Sequence, residues 1–132
     1  SMQKDDEVKK MTRFSAVLAL LVPLAVDAGT PPNDVEGARS VHRGGLVFLH
    51  YCVNCHGITA DGNGRAAKLY NPRPANLVKT DKNDAYKELI IRRGGAALGR
   101  SNFMPPWGEE LTNEQIRDVI AFLRSIQEHK TK

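Results

Sequence analysis

Towards the end of the chain, apolar residues recur at helical spacing. Ile116, Val119, Ile120, Leu123 and Ile126 share one face, the pattern of an amphipathic helix laid on a core. Thr112 precedes that stripe as an N-cap and Gln115 completes a capping box, so a helix is predicted over residues 113–128. Two earlier stretches also read as helices. Residues 34–53 start at Asp34, a good N-cap, and residues 83–93 stop at Gly94-Gly95. Gly44 and Gly45 lie inside the first of these, at a cost of about 1 kcal/mol each against Ala. That cost points to a packing partner so close that a side chain would block it. Long loops separate the helices, punctuated by Gly62-Asn63-Gly64, Asn71-Pro72-Arg73-Pro74 and Met104-Pro105-Pro106. No stretch alternates as a strand does. The class predicted is all-α, with three to five short helices joined by long loops.

A different apolar pattern stands near the start. Residues 14–26 are uncharged and mostly apolar, Lys9, Lys10 and Arg13 precede them, and Val26-Asp27-Ala28 supplies small residues at a cleavage site. This is the three-part layout of a secretory signal. As a helix the run reaches only about 20 Å, short of the roughly 30 Å of a bilayer core. Residues 1–28 are therefore expected to be an N-terminal extension plus signal peptide, cleaved after Ala28, leaving one domain over residues 29–132 with no stable membrane span. The expected compartment is the periplasm.

Composition narrows the chemistry. The formal net charge is +4, too weak to argue for nucleic acid. Cys52 and Cys55 are the only cysteines, so no disulfide framework exists. They stand in Cys52-Val53-Asn54-Cys55-His56, the attachment pattern of a c-type haem. Two thiols three positions apart on a helical turn can each add to one vinyl group of the porphyrin, and the His directly after them can then ligate the iron. A zinc site needs four ligands and there is no second Cys pair. A thioredoxin-like pair needs a βαβ setting that is missing. The haem also accounts for the long loops, which are unusual in so small a domain: the porphyrin supplies the apolar core around which they fold.

The second axial position needs a ligand. Met104 is the one methionine of the mature chain, 48 residues after His56, and Pro105-Pro106 keep it out of any helix. It is the expected sixth ligand. His42, His50 and His129 are the competitors; His50 precedes Cys52 on the same helix and would face away from the distal side.

Together these features make the chain resemble a class I monohaem cytochrome c in its bacterial periplasmic form, over roughly residues 38–126. The resemblance implies the cytochrome c fold, with the long loops wrapped around one covalently bound haem. It implies that the first and last helices cross at a small residue and aromatics, with Gly44, Phe48, Val119 and Phe122 at the matching positions. It implies that residues 71–77 form the loop on the His side, where the backbone carbonyl of Pro72 or Pro74 accepts the other ring N–H of His56. Asn76, Arg100, Asn102 and Trp107 become candidates for propionate or haem-edge contacts.

With Met104 on the iron there is no open site for substrate, and the function implied is one-electron transfer between larger redox proteins rather than catalysis. A dedicated donor or accessory subunit of an oxidase or reductase is the alternative. A haem peroxidase or gas-binding protein is disfavoured: the gas-binding four-helix cytochromes carry their motif close to the C-terminus, whereas 76 residues follow His56 here. Lys68, Arg73, Lys79, Lys82, Arg92, Arg93 and Arg100 come from segments expected around the haem, so a monomer meeting partners through an acidic docking patch on their side is anticipated.

Overall fold

The computed structural model describes residues 32–128, so the leader, its cleavage site and His129 lie outside the described residues. Four α-helices follow in order: α1 Pro32–Tyr51, α2 Val53–His56, α3 Asp84–Arg93 and α4 Asn113–Ile126. Single 3₁₀ turns at Ala67–Leu69 and Ala96–Leu98 interrupt the loops. Among the described residues there is no strand, and no helix is long and apolar enough to cross a membrane.

α1 begins two residues earlier than predicted. Pro32 takes the first helical position, where its missing N–H costs nothing, and Asp34 lies in the first turn instead of capping it. There its charge complements the helix dipole. The helix also ends earlier, at Tyr51, and the chain re-enters α2 after Cys52. The join is continuous in hydrogen bonding: Cys52 N–H donates to Phe48 O at 2.9 Å and His56 N–H to Cys52 O at 2.9 Å. α3 is capped by the Asn83 side chain, which accepts from Tyr86 N–H at 2.9 Å. α4 carries the expected capping box, with both Thr112 and Gln115 bonds present. It ends at Ile126 because Gln127 and Glu128 turn away to bond the loop after α2: Gln127 Nε2 donates to Thr80 O at 2.6 Å and Glu128 N–H to Val78 O at 2.8 Å.

α1 and α4 cross at Gly44. A Cβ there would fall 1.9 Å from Asp118 O and 2.9 Å from Phe122 Cβ, so only glycine allows the approach. Gly45 is under no such pressure, since its Cβ would make ordinary contact with the Phe122 ring at 3.5 Å. Beside the crossing, Phe48 and Phe122 pack with ring centroids 5.3 Å apart, and Phe48, Ile116 and Val119 are fully buried. Ile120 and Leu123 complete the buried stripe and Ile126 packs at its edge. A polar clamp closes the other side. The buried Asp118 carboxylate accepts from Ser40 Oγ at 2.6 Å and from Arg43 Nε at 2.7 Å. These bonds, Arg43 first, hold its carboxyl below the usual carboxylate range against the opposing effect of burial.

Candidate haem-binding site

α2 hangs from the end of α1, and that attachment places the motif. Cys52 and His56 stand in the wall of an apolar cleft. Phe48 comes to this wall from α1, Val119 and Leu123 from α4, Ile90 and Ile91 from α3, and Leu77, Trp107 and Leu111 from the loops. Such apolar walls suit a flat apolar macrocycle, which Cys52 and His56 in the wall could hold together with Cys55, half-buried three residues on from Cys52.

The cleft sets the state of these groups. Burial, with Cys55 a lesser contributor, pushes the Cys52 thiol up to about 12, so it stays protonated at neutral pH. Burial likewise lowers the pKa of His56, opposed by its hydrogen bond to Ala75. The imidazole is therefore held neutral, the form that ligates a metal. His56 Nδ1 lies 3.0 Å from Ala75 O. As donor to that carbonyl, Nδ1 leaves Nε2 for the iron, and the bond would fix the ring and raise its basicity.

That geometry corrects one expectation. The carbonyl on His56 belongs to Ala75, not to Pro72 or Pro74. Pro74 O is turned towards Gly62, where an added Cβ would lie 2.6 Å from it, and Pro72 is exposed in the outer part of the loop. The next carbonyl along faces the ring. Asn76 Oδ1 accepts from Val78 N–H and Lys79 N–H, both at 3.0 Å, and so builds the loop's own turn.

Met104 is held by α3. Gly95 N–H donates to Met104 O at 2.9 Å, Trp107 N–H to Ile91 O at 2.8 Å and Gly108 N–H to Arg92 O at 3.2 Å. The methionine loop is thus strapped to the last carbonyls and the C-cap of α3. Gly94, with φ +76°, makes this possible, because a Cβ there would meet Met104 O at 2.8 Å and Pro106 N at 2.9 Å. Met104 is partly buried and packs against the same cluster as Phe48 and Ile91. Trp107 lines the cleft and meets Tyr51 edge-on, with centroids 5.3 Å apart. Arg100 and Asn102 are exposed, and Arg100 Nε donates to Tyr86 Oη at 3.1 Å. His42 and His50 are exposed on α1.

The sequence gives no hint of Lys87 at this site. It is 6 % exposed and lines the cleft. A lysine in a short, mostly polar helix reads as solvated; only the docking of α3 on α4 buries it.

Comparison with known proteins shows the family of the chain. The sequence model of the family described as cytochrome C oxidase, cbb3-type, subunit III, matches residues 39–123. The chain belongs to this family. It is a c-type cytochrome domain, and its work is electron transport. The curated relatives include the cytochrome c subunits of alcohol dehydrogenase (quinone) from Gluconacetobacter polyoxogenes and Komagataeibacter europaeus. Each is 26 % identical over 131 residues, covering 92 % of this chain and 27 % of the relative. The chain thus spans about a quarter of their length. Among solved structures, a chain of the Kuenenia stuttgartiensis reducing HAO-like protein complex superposes with a TM-score of 0.54 at 26 % identity. The match covers 64 % of this chain and 41 % of that one.

Proposed function

We propose that this cytochrome domain carries one haem c, bound covalently through Cys52 and Cys55 and ligated by His56 and Met104, and passes single electrons between redox proteins. The observation that carries the reading is the meeting of Cys52 and a neutral, carbonyl-anchored His56 in the wall of one apolar cleft. When bound, the haem supplies the redox centre. The protein's part is to hold it dry, orient the imidazole through Ala75 O and present Met104 from the strap on α3. Held by both His56 and Met104, the iron would offer substrate no place. Donor and acceptor are redox proteins meeting the exposed side. Tyr70 and Phe103 pack as a tilted ring pair with centroids 4.9 Å apart, Leu69 is 78 % exposed, and Lys68, Arg73 and Arg93 are exposed as well. These features favour a small apolar contact ringed by positive charge and an acidic patch on the partner. Attachment of haem to the thiols follows export, in line with the signal-like leader.

A second form of the same reading is a dedicated donor domain or subunit within a larger dehydrogenase or oxidase. It is favoured by the match to cytochrome c subunits of quinone alcohol dehydrogenases.

Absorption spectra of exported protein in both oxidation states, with and without carbon monoxide, test the proposal. Expected are a haem that resists acid extraction and a ferrous spectrum indifferent to carbon monoxide. Met104→Ala should keep the haem, admit carbon monoxide and lower the reduction potential, since a sulfur ligand raises it. Haem that extracts freely, or a Met104→Ala spectrum identical to wild type, defeats the assignment.

A further inference from the structure

Lys87 is a buried cation in a wall that is otherwise uncharged. Among the described residues lining the cleft it alone carries a formal charge, and its side chain is 7 % exposed. Its stem lies along the apolar wall and its ammonium reaches two acceptors: Gln127 Oε1 at 2.7 Å and Asp84 Oδ1 at 3.4 Å. Gln127 is a neutral partner. It is itself fixed by the bond from its Nε2 to Thr80 O at 2.6 Å, so Lys87 sits in a built position. Asp84 is a shared partner. Its other oxygen lies 2.6 Å from Arg124 Nη1, a shorter contact than the one to Lys87, and Asp84 is itself 39 % exposed and open to screening by water. One carboxylate therefore serves two cations, and a net positive charge is left where the wall of the cleft meets α4.

Such a charge acts on the redox step. One electron enters the site from a donor protein and leaves to an acceptor, and the charge of the site falls by one on reduction. A fixed cation in a poorly hydrated wall stabilises the reduced state over the oxidised one and is screened little by salt. We propose that Lys87 is a positioning residue for charge at the haem site, raising the electron affinity of the centre through its buried ammonium. This rests on the proposed function above.

The test is the midpoint potential of the exported, haem-loaded chain, measured spectroelectrochemically at low and high ionic strength. Lys87→Met keeps the stem and removes the charge. At the wild-type midpoint its reduced-to-oxidised ratio should fall about tenfold, a shift of about 59 mV for a one-electron couple, and the shift should survive high salt. Lys87→Arg should restore the ratio to within about twofold. A purely structural role would lower thermal stability and leave the potential in place. Should Lys87→Met not accumulate, Asp84→Asn provides the opposite change, since it frees positive charge and should raise the potential. An unchanged potential in haem-loaded Lys87→Met, an equal fall in Lys87→Arg, or a fall in Asp84→Asn overturns the role of Lys87. A wild-type chain without covalent haem would instead defeat the proposed function.

Discussion

The α1–α4 crossing and the cleft beside it are built on different principles. At the crossing, the long α1 meets the capped α4 over a continuous buried stripe, a glycine brings two backbones together, and a carboxylate is clamped by Ser40 and Arg43. Every group there finds its partner within the polypeptide. The cleft is walled by one side of α1, α3 and α4, by the short α2, and by loops that a few backbone bonds fasten to α3 and to the end of α4. Its walls are apolar and face one another across open space. The crossing is a scaffold packed by the polypeptide, and the cleft is a mould whose packing the proposed haem would complete.

Removing the attachment should separate the two halves most sharply. In Cys52→Ala/Cys55→Ala, covalent haem should be absent by mass spectrometry of exported protein. Amide exchange should accelerate in loops 57–80 and 94–111 by far more than in α1 and α4. Equal acceleration throughout would mean that the crossing, too, depends on haem.

Gly44→Leu attacks the scaffold instead. With backbone 1.9 Å from the first added carbon, the helices must move apart, and the cost should reach or exceed the roughly 1–3 kcal/mol typical of overpacking, read as a lowered Tm. Gly45→Ala, facing only ordinary contact at 3.5 Å, should be neutral or slightly stabilising. Equal Tm for Gly44→Leu and wild type would contradict the crossing.

Asp118→Asn weakens the clamp while keeping its shape. A cost of about 1–2 kcal/mol is expected, at the lower end for a buried charged bond because Arg43 is partly open to water. The pH dependence carries a sign. The folded pKa is lowered, so the contribution of this carboxylate is complete above its unfolded value of about 4 and is lost as pH falls through the folded value. Wild-type Tm should therefore drop towards the variant's below about pH 4 and stay above it from pH 5 to 7. A gap that stays constant down to pH 2 would remove the ionised clamp.

The smallest effect expected is that of Thr112→Ala. It deletes the N-cap of α4 and should cost about 1 kcal/mol, with the potential unchanged, because the cap lies outside the cleft. A shift in potential would show that scaffold and mould are coupled more tightly than their contacts indicate.

The parts of the site that were legible in the sequence depend on neighbours along the chain. Cys52, Cys55 and His56 share one helical turn, so their spacing alone implies joint chemistry. Met104 stood out because prolines bar it from a helix and the other two methionines, Met2 and Met11, precede the signal-like run. Ala75, Asn76 and Lys87 depend on contacts that spacing does not encode. Which carbonyl meets His56 turns on how Pro74 lies against Gly62, and whether Lys87 is solvated or buried turns on where the end of α4 lands.

By itself, then, the sequence determined the helical class, the α4 stripe and its capping box, the haem motif and the glycine that demanded a close partner. Each is written in local spacing, where backbone geometry fixes which side chains share a face or a turn. Tertiary structure alone decided that α1 breaks at Cys52, that Ala75 holds the histidine, that Asp118 is clamped by Ser40 and Arg43, and that a lysine of a polar helix lies inside the cleft wall. Those outcomes join residues far apart in the chain. They are selected by excluded volume and by the need to satisfy every buried polar group, conditions that exist only once the helices have docked.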